Sequence, residues 1–520
     1  MFLQISNAIV SIRNILFLTF ILPCYRTTVV ANVNPIHNLF QPLKLIKDPN
    51  LLKLPSSNII VTMNDPLSQI WHNHVKNVFP SRDDKISSLV NELQGFALQS
   101  QAPLLSLIKG ITGTEAKPFW ISNQLAIKNA SPSLIKGLIN SRLIKSIARD
   151  ILFPIMPILN MTIGKPPDGP EWGIKKVNGD KLWNLTQGEG IIVGTIDTGA
   201  RATHTALRNN WVGLKNHGWF DPFLYTDEPY DPVGHGTHTT ATIAGDNGVG
   251  IAPKAKWIAC KACDIFNCFP TMLLACGQFM LCPTDTEGNN KDCSKAPHIV
   301  SNSWGSNTGG LDDFYNPIIT SWRAAGIIPF FAIGNEGPDC KSTNVPGNQK
   351  DVISVGATDA NDHLAGFSSR GPGEDLAPVK PEILAPGQGI NSAWFINDNS
   401  YRVLSGTSMA TPIVAGAAAL LLALNSTLKY DDIKNLLFET TFQGIALEEE
   451  ERSMICGNIS ENNFPNHMLG HGRIDVYEAY TKMIEGSKYQ RKETKLNTTS
   501  KSGQSSSPGI TITIKLPKLI

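Results

Sequence analysis

The sequence predicts an α/β protein: a doubly wound, mostly parallel sheet with helices on both faces, preceded by a smaller α/β module. Three observations lead there. Five short runs, Ile191 to Ile196, Trp257 to Ala262, Ile299 to Ser303, Ile327 to Ile333 and Val352 to Val355, are apolar with little alternation. That pattern belongs to strands buried on both faces. Helical stretches lie between them, for example Thr237 to Gly245 and Asp312 to Ala325. Strand alternating with helix builds a parallel sheet, and such sheets bind ligands outside the carboxyl ends of their strands. The third observation is a change of texture upstream. Residues 32–165 contain no cysteine, and within them Phe119 to Ile127 reads as a strand, Ser131 to Asn140 as a helix opened by Ser-Pro, and Leu143 to Ile147 as a second strand. A proline- and glycine-rich linker, Lys165 to Gly173, joins the two parts.

The chain has 520 residues, 42% of them hydrophobic, so it can bury a large core. Lysine plus arginine total 45 and aspartate plus glutamate 44, a formal net charge of +1. Such a balance carries no electrostatic preference for nucleic acid or anionic membrane. The substrate must therefore be sought in specific motifs.

Residues 1–31 read as a secretory signal. Arg13 supplies the positive charge, Ile15 to Leu22 the apolar stretch, and Val29 and Ala31 the small residues before a cut after Ala31. A membrane anchor would need ~20 apolar residues. The run Ile413 to Leu424 is twelve residues and suits a buried core helix better than a span. At the other end, residues 485–520 are rich in Ser, Thr, Lys and Gly and read as a loose tail. Glu448 to Glu451 reads as a solvated face.

There are nine cysteines. Cys24 leaves with the signal, and eight remain, six of them between Cys260 and Cys293. Cys260 and Cys263 form a C-x-x-C pair, which zinc or redox chemistry could use. In an exported chain structural disulfides are the better reading, with the cluster stapling its own stretch, since no histidine pair with ligand spacing follows. Their connectivity is not readable from spacing.

Four residues draw attention for chemistry. Asp197 ends the strand Ile191 to Ile196 and precedes Thr198-Gly199. A carboxylate there is costly unless hydrogen-bonded, though a loop cap would satisfy it too. His235 lies between two glycines in Gly234-His235-Gly236-Thr237-His238. A lone histidine is more often structural, and His238 is assigned no chemical role. Ser408 lies in Gly406-Thr407-Ser408-Met409-Ala410-Thr411-Pro412, just before the apolar helix, with Pro412 suited to that helix's first turn. There the helix amides can stabilise an anion, although a plain N-cap serine is the common alternative. Asn335 ends the strand Ile327 to Ile333 and could donate to an oxyanion, where a turn asparagine is the ordinary explanation. Each signal is weak alone. Together they place Asp, His and Ser in a chain order known for catalytic triads, at strand ends and helix starts.

At this point the sequence resembles the subtilase family of serine proteases, and within it the bacillopeptidase F-like members. The stretches that carry the likeness are Gly194 to Gly199, Gly234 to His238, Ser303-Trp304-Gly305, Gly334-Asn335-Glu336-Gly337, Phe367 to Pro372, Lys380 to Gly387 and Gly406 to Pro412. The resemblance spans about Trp172 to Tyr480. It implies a subtilisin-like peptidase domain over 166–484, with a cysteine-rich insert at 260–293. It implies that residues 32–165 are an inhibitory propeptide. It implies that Asp197 orients His235, that His235 takes the proton of Ser408, and that Asn335 with the Ser408 amide holds the oxyanion. It also implies that Ser303, Trp304 and Gly305 form the edge that pairs with an extended substrate. The propeptide's end should lie there as an added strand, with the processing cut between Asp150 and Glu171. No cofactor is required. Structural calcium is left open, because no D-x-D-x-D-G loop is present.

Three rival readings fit the motifs less well. A pseudoprotease would normally lack one of the four residues. A disulfide-held adhesive protein would have no use for the triad. A sedolisin-like acid peptidase would replace the histidine and carry Asp at the oxyanion position. Sequons occur at Asn129, Asn160, Asn184, Asn425, Asn458 and Asn497.

Overall fold

A computed structural model describes residues 45–46, 51–64, 66–150, 152–156, 159–307, 314–373 and 378–486. The expected signal segment, and the expected tail beyond residue 486, lie outside the described residues. Seven strands form the central sheet, in the spatial order Ile383–Pro386, Ile353–Thr358, Ile328–Ala332, Ile299–Asn302, Ile192–Asp197, Lys256–Lys261 and Trp219–Phe220. Every neighbouring pair is parallel. All five expected strands are present within a few residues. Trp219–Phe220 and Ile383–Pro386 add the two edges. From Ile192–Asp197 the chain first builds toward one edge and then crosses to Ile299–Asn302 on the other side. The reversal leaves a crevice beyond the carboxyl ends of those two strands.

Alternate residues of each strand face opposite cores. Val193, Ile299, Phe330 and Val355 pack with the helices His235–Ala244 and Thr407–Leu424. Ile196, Val300 and Phe331 pack with Pro270–Leu281 and Asn316–Ala325 on the other face. The apolar run at Ile413 is part of Thr407–Leu424, whose 18-residue window is 89% buried. It is long and apolar enough to span a membrane, yet lies in the interior.

The upstream module is an α/β unit of its own. Its sheet runs Leu45–Ile46, Ile144–Arg149, Ser57–Met63, Gln124–Ala130, Glu115–Phe119, antiparallel except for the first pair. The stretch expected as one strand from Phe119 is a hairpin. Its turn carries Asn123 at φ 50°, in the left-handed region that asparagine tolerates. The expected helix is Pro132–Asn140, with the Ser131 side chain capping the Leu134 amide. Sequence reading missed the longest helix, Arg82–Lys109. Ser81 caps it, and Ile86, Leu89, Val90, Leu93, Ala97, Leu104 and Ile108 form its buried stripe. That spacing is helical throughout, but Pro103 and many Ser and Gln residues mask it.

The module shares a core with the larger part. Ile86, Leu89, Val90, Leu93, Phe119 and Ile121 belong to the same cluster as Leu274, Ile318 and Trp322. Polar contacts frame it. Arg82 donates to the carbonyls of Ala296 and Pro297, Trp71 Nε1 to Ser321 Oγ, and the Trp120 amide to Gln278 Oε1.

All eight expected cysteines are paired, as Cys260–Cys276, Cys263–Cys268, Cys282–Cys293 and Cys340–Cys456. Three bonds lie inside the cluster, as expected. The stretch takes in the end of the strand Lys256–Lys261, the short strand Asn267–Cys268, the helix Pro270–Leu281 and the loop after Cys282. None of these eight is therefore left as a thiolate for zinc. The fourth bond ties Cys340 to Cys456, 116 residues on.

The acidic run is not wholly a solvated face. Glu451 is buried and accepts from Arg370, which is itself fully buried. Neither charge could sit there without the other. Glu451→Ala should therefore destabilise the fold by about 3–5 kcal/mol, the cost of stranding a buried charge. A urea midpoint that falls accordingly, with disulfides intact, is the check.

Candidate active site

The crevice collects the residues singled out above. Asp197 ends its strand almost fully buried, and each oxygen is satisfied. Oδ1 accepts from the Thr198 amide at 2.7 Å and from His235 Nδ1 at 2.7 Å; Oδ2 accepts from Thr239 Oγ1 at 3.1 Å. A carboxylate only accepts, so the ring carries its proton on Nδ1 and presents Nε2 bare. Two glycines make this contact reachable. A Cβ on Gly236 would fall 2.1 Å from the Gly199 carbonyl oxygen, so the helix could not otherwise approach the turn after Asp197.

His235 opens the helix His235–Ala244 and is fully buried. Its Nε2 has no hydrogen-bond partner. Burial disfavours the charged ring, but the charge and hydrogen bond of Asp197, with the charge of Asp231, outweigh it and raise the pKa. His238 behaves differently. Burial, with His235 alongside, pushes its pKa down to about 3, and its Nε2 lies 3.1 Å from the carbonyls of Ile390 and Arg402. It is a neutral group that ties the helix to those two carbonyls.

Ser408 is the second residue of the helix, which begins at Thr407, earlier than expected. Pro412 is therefore not in the first turn. Lacking an N–H, it leaves the Ser408 carbonyl without its helical donor. Ser303 Oγ fills that place at 2.9 Å. The Ser408 hydroxyl itself lies 3.2 Å from the Ser303 carbonyl and 3.6 Å from Met156 Sδ. Asn335 is oriented by Thr407, whose amide and hydroxyl each donate to Oδ1 at 2.9 Å. This turns Nδ2 toward the backbone at Gly406, 3.2 Å from where a Cβ there would sit.

The chain's own residues flank Ser408 on both sides. Phe153–Pro154 pairs antiparallel with Asn267–Cys268, and the Ile155 amide donates to the Phe266 carbonyl at 3.0 Å. Met156 is buried with its methyl 3.1 Å from where a Cβ on Gly305 would lie, beside Asn344. Beyond, Leu159–Ile163 pairs antiparallel with Tyr401–Ser405. An added strand in the cleft was expected beside Ser303 to Gly305. The strand's ladder partner is instead Asn267–Cys268, held at its base by the Cys263–Cys268 bond, while Gly305 meets the Met156 side chain. Sequence reading missed Met156 and this second edge, because no local pattern says which strand edge a distant segment will meet. Among the described residues, no group of three or more His, Cys, Asp or Glu side chains is arranged to hold a metal ion.

Residues 188–472 match the model of the subtilase family. The chain belongs to the subtilase family. This subtilase is 31% identical over 439 residues to bacillopeptidase F of Bacillus subtilis, covering 77% of this chain and 29% of that protein. It is 34% identical over 289 residues to serine protease AprX of the same bacterium, covering 48% of this chain and 61% of that one. Proteinase T of Parengyodontium album is 30% identical over 270 residues, 51% of this chain and 84% of its own length. The chain thus spans less than two thirds of the first two relatives.

The Ser303–Ser408 contact yields a test. Ser303→Ala orphans the Ser408 carbonyl and should cost about 1–3 kcal/mol, the desolvation penalty of a buried unmet acceptor. The check is the urea midpoint against wild type.

Proposed function

We propose that this subtilase is a secreted serine endopeptidase, made as a zymogen, that cuts proteins through Asp197, His235 and Ser408. The observation that carries this is the 2.7 Å contact of His235 with Asp197, which leaves a buried, unpartnered Nε2 on a helix that shares its core with the Ser408 helix. In catalysis the Ser408 hydroxyl donates to that nitrogen in place of the Ser303 carbonyl. His235 then takes its proton as Oγ bonds to the substrate carbonyl carbon. The oxygen that becomes negative is met by the Ser408 amide, free of helical partners in the first turn, and by Asn335 Nδ2. His235 returns the proton to the leaving amine as the peptide bond breaks. Water, activated by the same ring, releases the acyl group and restores the serine. Substrate lies extended between Asn267–Cys268 and Ser303, Trp304 and Gly305, where main-chain hydrogen bonds give affinity.

Residues 32–165 act as the inhibitory propeptide. The support is Met156 against Ser408 Oγ and the shared core of the module. The processing cut falls between Asp150 and Glu171, a stretch in which Asn160 to Ile163, Lys165 and Pro166 are exposed. Secretion follows from the signal segment and from four disulfides, which persist outside reducing compartments. The mature enzyme works as a monomer on protein and peptide substrates.

Ser408→Ala should abolish peptide hydrolysis and leave the precursor unprocessed. Zymography and the intact mass of the secreted chain check both, and activity within about tenfold of wild type would sink the assignment. His235 must be neutral to act as base. Its pKa is raised above the ordinary 6.5, so activity should climb with pH along a limb lying above that value. The pH profile of kcat/KM measures it, and an optimum near pH ~4 would argue against this mechanism.

A further inference from the structure

Behind the Asp197–His235 contact lies a second buried carboxylate that the steps above do not use. Asp231 is 6% exposed and receives five donors. Oδ1 accepts from Thr198 Oγ1 at 2.9 Å, the Val233 amide at 3.0 Å and the Gly234 amide at 2.8 Å. Oδ2 accepts from the Thr237 amide at 2.8 Å and its hydroxyl at 2.7 Å. The Thr198 hydroxyl accepts in turn from the Gly236 amide at 2.9 Å. These partners bracket the pair. Thr198 follows Asp197, and Gly234 and Gly236 flank His235. The elements are separate in sequence, and Asp231 is where they are tied together.

A buried cation stands on the far side. Lys261 ends the neighbouring strand in register with Asp197. Its Nζ donates to the carbonyls of Thr198 at 2.9 Å and Cys263 at 2.6 Å, over the rings of Phe223 and Tyr230. Among the described residues its hydrogen bonds go to neutral carbonyls, not to a carboxylate. The ammonium thus acts on Asp231 and Asp197 through space and braces the turn at Thr198. A buried charge costs several kcal/mol unless it is compensated, so these two ions hold each other in place at a distance.

We propose that Asp231, with Lys261 behind it, is a positioning residue for the Asp197–His235 pair: it locks the turn after Asp197 to the first turn of the His235 helix and keeps a fixed negative charge beside the ring. The proposal rests on the serine-protease reading above. The bland alternative is a carboxylate that merely caps a helix. The two differ in what removing the charge does to the ring. The charged and titratable groups around it are Asp197 on its strand, Asp231 on the preceding loop, His238 one turn on, and Lys261 from the neighbouring strand; Asp221 and Asp264 stand around Lys261. His238 is neutral through the working range. A negative neighbour favours the protonated ring, so losing Asp231 moves the rising limb of activity to lower pH. Losing Lys261 moves it to higher pH.

The experiment uses the processed enzyme, wild type and Asp231→Asn, with active sites counted by a covalent serine-directed probe. Asparagine keeps the shape but sets an NH2 donor against the Thr237 amide. Expected is a fall in kcat on the order of 10²-fold, as for a misaligned reacting group, with KM little changed and the limb shifted to lower pH. A lower kcat with an unmoved limb would reduce Asp231 to a cap and overturn the proposal. Should Asp231→Asn fail to fold, Lys261→Met takes its place. Its limb must move to higher pH, and an unchanged or lower limb overturns the proposal equally. Wild type that the probe does not label at Ser408 would defeat the serine-protease reading instead.

Discussion

A carboxylate at the end of a strand buried on both faces must find donors for both oxygens or cost several kcal/mol. Asp197 is in that position, and much of the site follows from how its demand is met. Thr198 supplies an amide, Thr239 a hydroxyl and His235 a ring nitrogen. The last two come from one helix, which must approach the strand end closely enough to reach. Gly236 permits that approach, because a side chain there would collide with the Gly199 carbonyl. The helix can take this place because Ala241, Ile243 and Ala244 share one core with the helix Thr407–Leu424.

The same economy appears at Ser408. Pro412 removes one helical hydrogen bond, and the orphaned carbonyl is met by Ser303. Ser303 follows the strand Ile299–Asn302, so the Ser408 backbone is tied to the end of that strand. Thr407 in turn fixes Asn335, which lies just past Ile328–Ala332. The carboxyl ends of three adjacent strands therefore carry Asp197, Ser303 and Asn335. Residues mounted on strand ends are held more tightly than residues on long loops.

The upstream module and the cleft form one mechanical unit. A single apolar cluster runs from Leu93 and Phe119 across to Trp322, so the module is seated by burial and not by surface charge. That seating sets where Phe153 to Met156 arrive. The receiving edge, Asn267–Cys268, is held by the short Cys263–Cys268 loop, whose two half-cystines are buried in the same cluster.

The sequence by itself determined the layered α/β plan and the buried strands, and it singled out Asp197, His235, Asn335 and Ser408. Continuous apolar runs can be buried only as inner strands or core helices, and the glycine-flanked motifs permit few backbone paths. It also determined that eight cysteines would pair, but not how. Three matters were decided only by tertiary structure. Glu451 lies in a run that reads as solvated, and only the fold brings Arg370 over it. Ser408 falls inside its helix and not before it, because Ser303, far along the chain, satisfies the carbonyl that Pro412 orphans. The edge that receives Phe153–Pro154 was likewise set by where the module docks. Local pattern records what each segment can bury. Which distant group answers a buried charge, a lost hydrogen bond or an open strand edge depends on contacts between segments far apart in sequence, and those exist only once the chain has folded.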